Sequence, residues 1–298
     1  MIKEQFMLDE SSTTENQGKN QFTVFVKQYV RNIPATIGLI VFIILFILCM
    51  AAPLISSYDP LKQNISNVLQ KPSAENLLGT DYLGRDIFTR LLYGGRLSLT
   101  IGFLAVGLGL SVGLVLGAIS GFFGGWVDMI IQRIADILLS FPSFLLALTL
   151  VALLGIGVRN VVISVGVLAI PSFIRLVRAS VLTQREMLYV EAAESIGAKQ
   201  GYIIFKHIMP NAMAPVIINA SLNMGYAITT AAGLGFLGVG VSPSTPEWGM
   251  MLGEAKNYIF SHPFMLVYPG IAIFVTIVCL NLIGDGLRDA LDPRTKHR

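Results

Sequence analysis

The sequence alternates long apolar segments with short polar ones. A run of about 20 apolar residues is long enough to cross a hydrocarbon core about 30 Å thick, so each such run is predicted to be a transmembrane helix. We therefore predict an all-α, polytopic membrane protein. Its six predicted spans are Ala35–Ile55, Leu97–Phe122, Ile134–Leu154, Val161–Leu182, Ala212–Leu237 and Met265–Gly284.

The polar ends and connections define the predicted organisation and topology. The parts are an N-terminal segment (1–34), one transmembrane domain (35–294) and a short tail (295–298). Lysines and arginines precede the first span and follow the last one, so the positive-inside rule places both termini in the cytoplasm. Six spans then put residues 56–96 and 238–263 outside and return residues 183–211 to the cytoplasm.

Three arginines oppose this topology. Arg85, Arg90 and Arg96 lie in the first external segment, whereas basic residues normally accumulate on the cytoplasmic side. Two explanations stay open. The arginines lie at the membrane interface, or they pair with Asp81 and Asp86.

Composition supports a membrane protein and excludes several other classes. The chain has 298 residues, 54% of them hydrophobic and only 13% charged, with a mean hydropathy of +0.69. A soluble globular domain is less apolar and more highly charged. The net charge of +3 is small and dispersed, so no nucleic-acid partner is indicated. The first apolar run starts far from Met1, which argues against a cleaved signal peptide.

The cytoplasmic segment 183–211 is a polar interruption between two apolar segments, where a membrane subunit can contact a partner. Residues Tyr189–Ile196 favour a short helix, and Gly197 suits the left-handed position that ends one. A second short helix is predicted over Gln200–Ile208, running up to Pro210. An ordinary loop is the alternative.

The two short helices would lie across the membrane surface with charged side chains in water. The residues predicted to face water are Glu191, Glu194, Lys199 and Lys206. The residues predicted to couple the chain to a partner are Glu191, Ala192, Ala193, Ser195, Gly197 and Ala198.

A polar stripe crosses the fifth predicted span. Asn219, Asn223, Tyr226 and Thr230 follow a spacing of three or four residues, so they share one helical face. Polar side chains avoid lipid, and they act either as hydrogen-bonded contacts between helices or as the wall of a wet cavity. Taken together, the four residues favour a translocation path.

A row of small residues marks the second predicted span. Gly109, Gly113, Gly117 and Gly121 recur at every fourth position and therefore lie on one face. Such rows let membrane helices approach closely. A structural role in helix packing is predicted for them.

Signs of catalysis are lacking. The sequence contains no phosphate-binding loop and no His-Glu-x-x-His motif, and its three histidines are dispersed. Cys49 and Cys279 lie in apolar runs, so neither a disulfide nor a thiolate metal site is implied. An ATP-driven process would need a separate ATPase subunit.

Several motifs together resemble one family. The segment Glu191-Ala192-Ala193, with Gly197 and the His207–Asn211 stretch after it, resembles the Glu-Ala-Ala loop of ABC importer permeases. Further motifs look like the second permease subunit of dipeptide, oligopeptide and nickel importers, with a match from about Pro34 to Arg294. They are Gly79–Asp86, Leu91–Leu99, Gly235–Gly240, Glu247–Gly249 and Asn281–Arg294. The first 32 residues have no recognised counterpart.

The resemblance implies a type I ABC importer permease fold of six transmembrane helices in a bacterial cytoplasmic membrane. It also implies a second homologous permease, two ABC ATPase subunits that use ATP and Mg, and an extracellular solute-binding protein. No cofactor is expected on this chain itself. The implied solutes are short peptides, and nickel or a metal-chelator complex is the alternative.

Two other classes stay open on the residues alone. A secondary transporter or channel would also have six spans and a polar stripe, but such proteins often carry an ionisable residue near a span centre, and this chain has none. A membrane-embedded enzyme would need a clustered nucleophile or metal site. Neither alternative requires an ATPase partner.

Overall fold

A computed structural model describes residues 23–243 and 245–291. Within those residues nearly all regular structure is helical, and the β-structure is one isolated bridge between Thr80 and Asp86. A helical stretch over 23–31 comes first. The helices that follow are α1 (Ile33–Met50), α2 (Ala52–Ile55), α3 (Ile87–Phe123), α4 (Gly125–Leu139), α5 (Ser143–Leu154), α6 (Val158–Arg185), α7 (Leu188–Ser195), α8 (Gln200–Tyr202), α9 (Met209–Phe236), α10 (Trp248–Ala255) and α11 (Phe264–Leu291).

The described helices form one bundle around α3, α6 and α9. Helix α3 packs along most of α6, and α9 packs on both of them as well as on α11. Helix α1 lies on the outside, against α11 and α3. Side chains such as Leu99 of α3, Phe173 of α6 and Ile228 of α9 are completely buried in the shared core. The all-helical fold expected from the sequence is confirmed.

Four helices are long and apolar enough to cross a membrane, namely α1, α3, α6 and α11, and the α4–α5 pair is a fifth candidate if it counts as one bent span. Helix α9 has 28 residues and no charged side chain, yet it falls outside this group. Its polar and small residues lower its hydropathy. A helix of this kind needs neighbours that shield it from lipid.

The third predicted span is not one helix. The range Ile134–Leu154 covers the end of α4 and the whole of α5, and these two helices meet at 90°. The break lies at Ser140–Pro142, and Pro142 has an extended ψ of 120° immediately before α5. Proline also disfavours helical geometry at the residue before it, Phe141. The apolar run of the third predicted span is therefore divided between two helices at Pro142.

Helix α3 starts ten residues before the predicted Leu97. The Asp86 carboxylate caps its first turn by accepting from the Thr89 N–H at 2.7 Å, which satisfies an otherwise free donor. With 37 residues, α3 is about 55 Å long. Since this exceeds the hydrocarbon thickness, α3 projects beyond the bilayer.

The second short helix of the segment 183–211 does not stop before Pro210. Helix α8 continues into a π-helical turn, Ile203–Ile208, which leads directly into α9. The Met209 N–H binds the carbonyl of Ile204, five residues back. This wider turn keeps the chain helical although Pro210 has no N–H to donate. The predicted stop is therefore wrong.

The bundle has two ends. One end carries α7 and α8, together with the start of α9 and the end of α3, and we call it the coupling end after the role predicted for the segment 183–211. The distal end carries residues 51–86, the start of α3, the end of α9, and α10. Lys19 and Arg294, two of the terminal basic residues on which the topology prediction rests, lie outside the described residues.

Candidate functional site

Helix α7 is a short surface helix with a precise end. Val190 and Ala193 are buried beneath it, and Glu191 lies in its first turn, where a negative charge suits the helix dipole. At its C-terminus Gly197 has φ +76°. The Gly197 N–H binds the Glu194 carbonyl at 2.9 Å, and the Ala198 N–H binds the Ala193 carbonyl at 3.1 Å. This paired arrangement is a Schellman motif.

The outer face of α7 and its flanks combines charged and large apolar side chains. Leu188 and Ile196 are 82% and 86% exposed, and Phe205 in the π-helical turn is 79% exposed. We call this face the coupling surface. Its exposed residues are Leu188, Glu191, Ala192, Glu194, Ser195, Ile196, Lys199, Phe205 and Lys206. Exposed regions with large apolar side chains of this kind are typical of surfaces that bind another protein or a membrane.

The coupling surface is attached firmly to two spans. The Tyr189 hydroxyl donates to Gln184 Oε1 of α6 at 2.8 Å, and Asn211 of α9 donates to the same hydroxyl at 3.4 Å. In addition, the Arg185 guanidinium donates to the carbonyl of Phe122 in α3 at 2.8 Å. A displacement of α7 therefore reaches α6 and α9 directly.

The structure divides the predicted polar stripe. Asn219 and Asn223 are half-buried, Tyr226 is exposed and Thr230 is buried. Asn223 Nδ2 donates to the Asn219 carbonyl, and the Thr230 hydroxyl donates to the Tyr226 carbonyl, both at 2.9 Å. These bonds stay within α9. The open part of the stripe is thus Asn219 to Tyr226, whereas Thr230 faces the core.

The glycine row lies at the closest approach of α3 to α6. A Cβ at Gly109 would lie 2.6 Å from the Ala169 Cβ, and one at Gly117 would lie 2.7 Å from the Val177 Cβ. A Cβ at Gly121 would lie 2.9 Å from the Arg178 carbonyl oxygen. Gly113 faces Phe173 in the same way, and its Cβ would overlap that residue. The structure therefore brings all four glycines against one neighbouring helix.

At the distal end, buried ion pairs account for two of the three arginines that oppose the charge bias. Arg85 pairs with Asp81 at 2.6 Å and with Glu254 of α10 at 2.9 Å, and Arg90 pairs with Glu254 at 3.0 Å and with Asp81 at 3.5 Å. These four residues form the ion cluster. Of the two partners considered from the sequence, only Asp81 belongs to it, because Asp86 caps α3.

Glu247 is a further buried acid, outside the ion cluster, that sequence reasoning did not place. It is 2% exposed, and it accepts hydrogen bonds from the Ser98 hydroxyl of α3 and the Met250 N–H of α10, both at 2.8 Å. Burial raises the pKa of the Glu247 carboxyl, and its hydrogen bonds act in the opposite direction. The Glu247–Gly249 motif was visible in the sequence, but its burial was not.

No three His, Cys, Asp or Glu side chains in the described part of the chain are grouped so that they could hold a metal ion. The two described cysteines are buried and free.

Comparison with known proteins decides the family. Residues 113–297 match the family model described as "binding-protein-dependent transport system inner membrane component". The chain belongs to this family. The permease also matches the N-terminal transmembrane domain of oligopeptide transport permease C over residues 20–72. The expectation that the first 32 residues lack a counterpart is therefore wrong for residues 20–32.

Curated relatives cover most of the permease. It is 48% identical to a dipeptide transport system permease protein of Alkalihalophilus pseudofirmus, over 91% of this chain and 89% of that one. It is 43% identical to a di/tripeptide transport permease of Pseudomonas aeruginosa, over 88% of both chains. A glutathione transport permease of Escherichia coli is 40% identical, over 94% of this chain and 93% of that one.

Solved structures give the same fold. A chain of the MetNI methionine ABC transporter, in an inward-facing conformation, matches with a TM-score of 0.58 at 19% identity. The match covers 69% of this chain and 98% of that one. At this identity the likeness shows the type I importer permease fold alone. The permease is thus a multi-pass inner-membrane component of a transport system.

Proposed function

We propose that this permease conducts di- or oligopeptides into the cell and that ATPase subunits on the coupling surface drive the transport. The observation that carries the proposal is the coupling surface itself, where Leu188, Ile196 and Phe205 are exposed on α7 and its flanks. This segment is tied to α6 and α9 through Tyr189. The substrate class is supported by the identity of 48% with a dipeptide transport permease.

The proposed assembly contains this chain, a second homologous permease, two ABC ATPases and an external solute-binding protein. ATP and Mg are used by the ATPases, and this chain supplies no catalytic residue. The coupling end faces the cytoplasm, and so do both termini. Nickel or a metal-chelator complex is the alternative solute for the same architecture.

The proposed mechanism is alternating access. Closure of the ATPases moves α7, and the contacts of Tyr189 and Arg185 pass this motion to the neighbouring spans. The spans rock as rigid rods and open the path first to one side and then to the other. Asn219, Asn223 and Tyr226 on the open part of the stripe line that path.

Uptake by cells lacking this chain, and by the same cells after its restoration, tests the proposed function. Labelled dipeptide, labelled pentapeptide and nickel are the probes, with and without depletion of ATP. We expect deletion to abolish ATP-dependent uptake of a peptide, and restoration to return it. ATP-dependent uptake of nickel alone would establish the alternative solute, and uptake that survives ATP depletion would contradict the ATP-driven mechanism.

Gly197→Ala is expected to weaken coupling. Only glycine adopts φ +76° without strain, so an alanine there costs about 1–2 kcal/mol at the end of α7. No atom lies within 4 Å of the added Cβ, so the effect comes from the backbone alone. ATP-dependent peptide uptake should fall, while the amount of assembled complex stays constant.

Gly201→Ala is the matched control for this prediction. Gly201 also has open space around it, but it lies in α8 without a positive φ. Alanine is favourable in a helix, so uptake should equal that of the wild type. Equal uptake by both variants would show that the left-handed end of α7 is not needed for coupling.

Substitutions in the polar stripe should separate its two parts. Asn223→Leu and Tyr226→Leu remove polar groups from the open part and are expected to lower peptide uptake about tenfold, the effect of losing roughly 1.4 kcal/mol of polar contact. Thr230→Val should change uptake less than about twofold, because its hydroxyl is buried and binds its own helix. The reverse order of effects, measured as initial uptake rates, would place the path elsewhere.

A further inference from the structure

Helix α10 lies backbone to backbone on the last two turns of α9. A Cβ at Gly253 would lie 2.7 Å from the Phe236 carbonyl oxygen. A Cβ at Gly249 would lie 2.6 Å from the carbonyl carbon of Ala232 and would overlap the rest of that peptide unit. Side chains would not fit between the two helices. Helix α10 is therefore seated directly on the backbone of α9.

The opposite side of α10 is joined to α3. The Trp248 indole Nε1 donates to the Leu91 carbonyl at 2.9 Å. The same ring covers Gly95, where a Cβ would lie 2.5 Å from its Cζ2 atom. Helix α10 thus fills the space between the distal ends of α3 and α9.

Glu247 connects these three helices through one side chain. Its Oε1 accepts from the Ser98 hydroxyl of α3, and its Oε2 accepts from the Met250 N–H in the first turn of α10. A Cβ at Gly235 would overlap Oε2, so the carboxylate also packs directly on α9. The Ser98 oxygen in turn accepts from the Trp248 N–H at 3.2 Å.

The residue type at position 247 is informative. Helix N-caps favour Ser, Thr, Asp and Asn, whose short side chains reach the first turn. Glutamate is longer, and here its extra length reaches Ser98 on another helix. No Lys or Arg nitrogen in the described residues lies within 4.0 Å of the Glu247 carboxylate. A buried acid without a cation is costly, which argues for a role beyond capping α10.

We infer that Glu247 is a positioning residue that clamps α3, α9 and α10 into one body at the distal end, so that motion entering α9 at the coupling end also moves the distal end of α3. The inference rests on the proposed function. Helix α9 starts beside the coupling surface and ends under α10, and its 28 residues act as a rod between them. Without the clamp, the ATPases still cycle, but the distal part of the path does not follow.

The test measures peptide uptake and ATP hydrolysis together. The complex that co-purifies with the tagged full-length chain is reconstituted into vesicles with its solute-binding protein, and labelled dipeptide is the probe. We expect Glu247→Ala and Ser98→Ala to lower the number of dipeptides carried per ATP about tenfold, the scale set by one buried group left without its hydrogen-bond partner. General destabilisation would lower both rates in proportion and leave their ratio unchanged, and that result would overturn the clamp.

Two further variants serve as controls. Glu247→Gln keeps an oxygen for the Met250 N–H and an amide that can donate to Ser98, so it should retain the ratio within about twofold. Ser111→Ala removes a hydroxyl from the same helix as Ser98, but this hydroxyl is exposed and binds only the Gly107 carbonyl. It should leave the ratio unchanged. A tenfold loss in Glu247→Gln would assign the effect to the charge and overturn the hydrogen-bonded clamp.

A second measurement needs no uptake. Gly94→Cys and Met251→Cys place a cysteine pair between α3 and α10, because a Cβ at Gly94 would lie 3.4 Å from the Met251 Sδ. The free native cysteines are removed by Cys49→Ala and Cys279→Ala so that only this pair can form a disulfide. If α3 and α10 move as one body, the disulfide forms at the same rate with and without ATP. A disulfide-formation rate that changes several-fold with ATP overturns the clamp.

Failure of the clamp can be distinguished from failure of the proposed function. An absence of ATP-dependent dipeptide uptake by the wild-type complex contradicts only the proposed function.

Discussion

Gly113→Leu is expected to abolish assembly of the permease and, with it, all transport. Gly113 lies on α3 where that helix touches α6, and even a single added methyl group would overlap Phe173. The isobutyl group of leucine would force the two helices apart over several turns. Membrane helices associate through close packing without a hydrophobic drive between them, so this separation removes the contact that holds the bundle together. Blue-native electrophoresis of the membrane fraction measures the loss.

Gly107→Leu is the matched control. Gly107 belongs to the same helix, but it is exposed, and a Cβ added there would have no atom within 4 Å. The variant should insert, assemble and transport as the wild type does. Normal assembly of Gly113→Leu would show that α3 and α6 are not packed in this way.

Arg90→Ala is expected to destabilise the distal end by about 3–5 kcal/mol, the cost of leaving a buried charge without its partner. Arg90 is 1% exposed, and it shares Glu254 and Asp81 with Arg85. Its removal leaves the carboxylates of Asp81 and Glu254, whose side chains are 6% and 12% exposed, facing a single guanidinium. The thermal unfolding midpoint of the purified complex should fall sharply.

Removal of both charged partners, Arg90 and Glu254, should lower the thermal stability much less than removal of Arg90 alone. The combined substitutions Arg90→Met and Glu254→Met leave Asp81 paired with Arg85 at 2.6 Å, so charge balance in the ion cluster returns. The midpoint should recover towards that of the wild type, since apolar replacement of a whole buried pair is often neutral.

An exposed ion pair provides the control for this prediction. Arg175 pairs with Asp136, and both side chains are about half exposed. Arg175→Ala breaks this pair and should lower the free energy of unfolding by less than about 1 kcal/mol. Equal losses in Arg90→Ala and Arg175→Ala would mean that the ion cluster is not buried in the assembled protein.

The local features of the coupling site could be predicted closely. The end of α7 at Gly197 follows from one residue that tolerates a left-handed backbone, and the structure shows that conformation. The exposure of Glu191 and Lys199 follows from their charge. The exposed Leu188 and Phe205 could not be anticipated, because the sequence does not show whether an apolar residue in a polar segment is buried or exposed.

Errors arose where a tertiary contact or a backbone adjustment changed a local preference. The apolar run across Pro142 is long enough for one span, but the structure divides it into two helices that meet at 90°. Pro210 was expected to end a helix, but the π-helical turn before it carries the chain on. Proline removes the same donor in both places, and its neighbours decide whether the helix breaks or adapts.

The sequence by itself determined that this is a helical membrane protein, that α7 ends just before Gly197 and that four glycines share one face of α3. These properties depend on segment length, backbone conformation and spacing along one helix. Only the tertiary structure decided that the glycines face α6, that Arg90 meets Glu254 and that Glu247 reaches Ser98. The last two contacts join residues 164 and 149 positions apart, and such pairings exist only after the helices have packed.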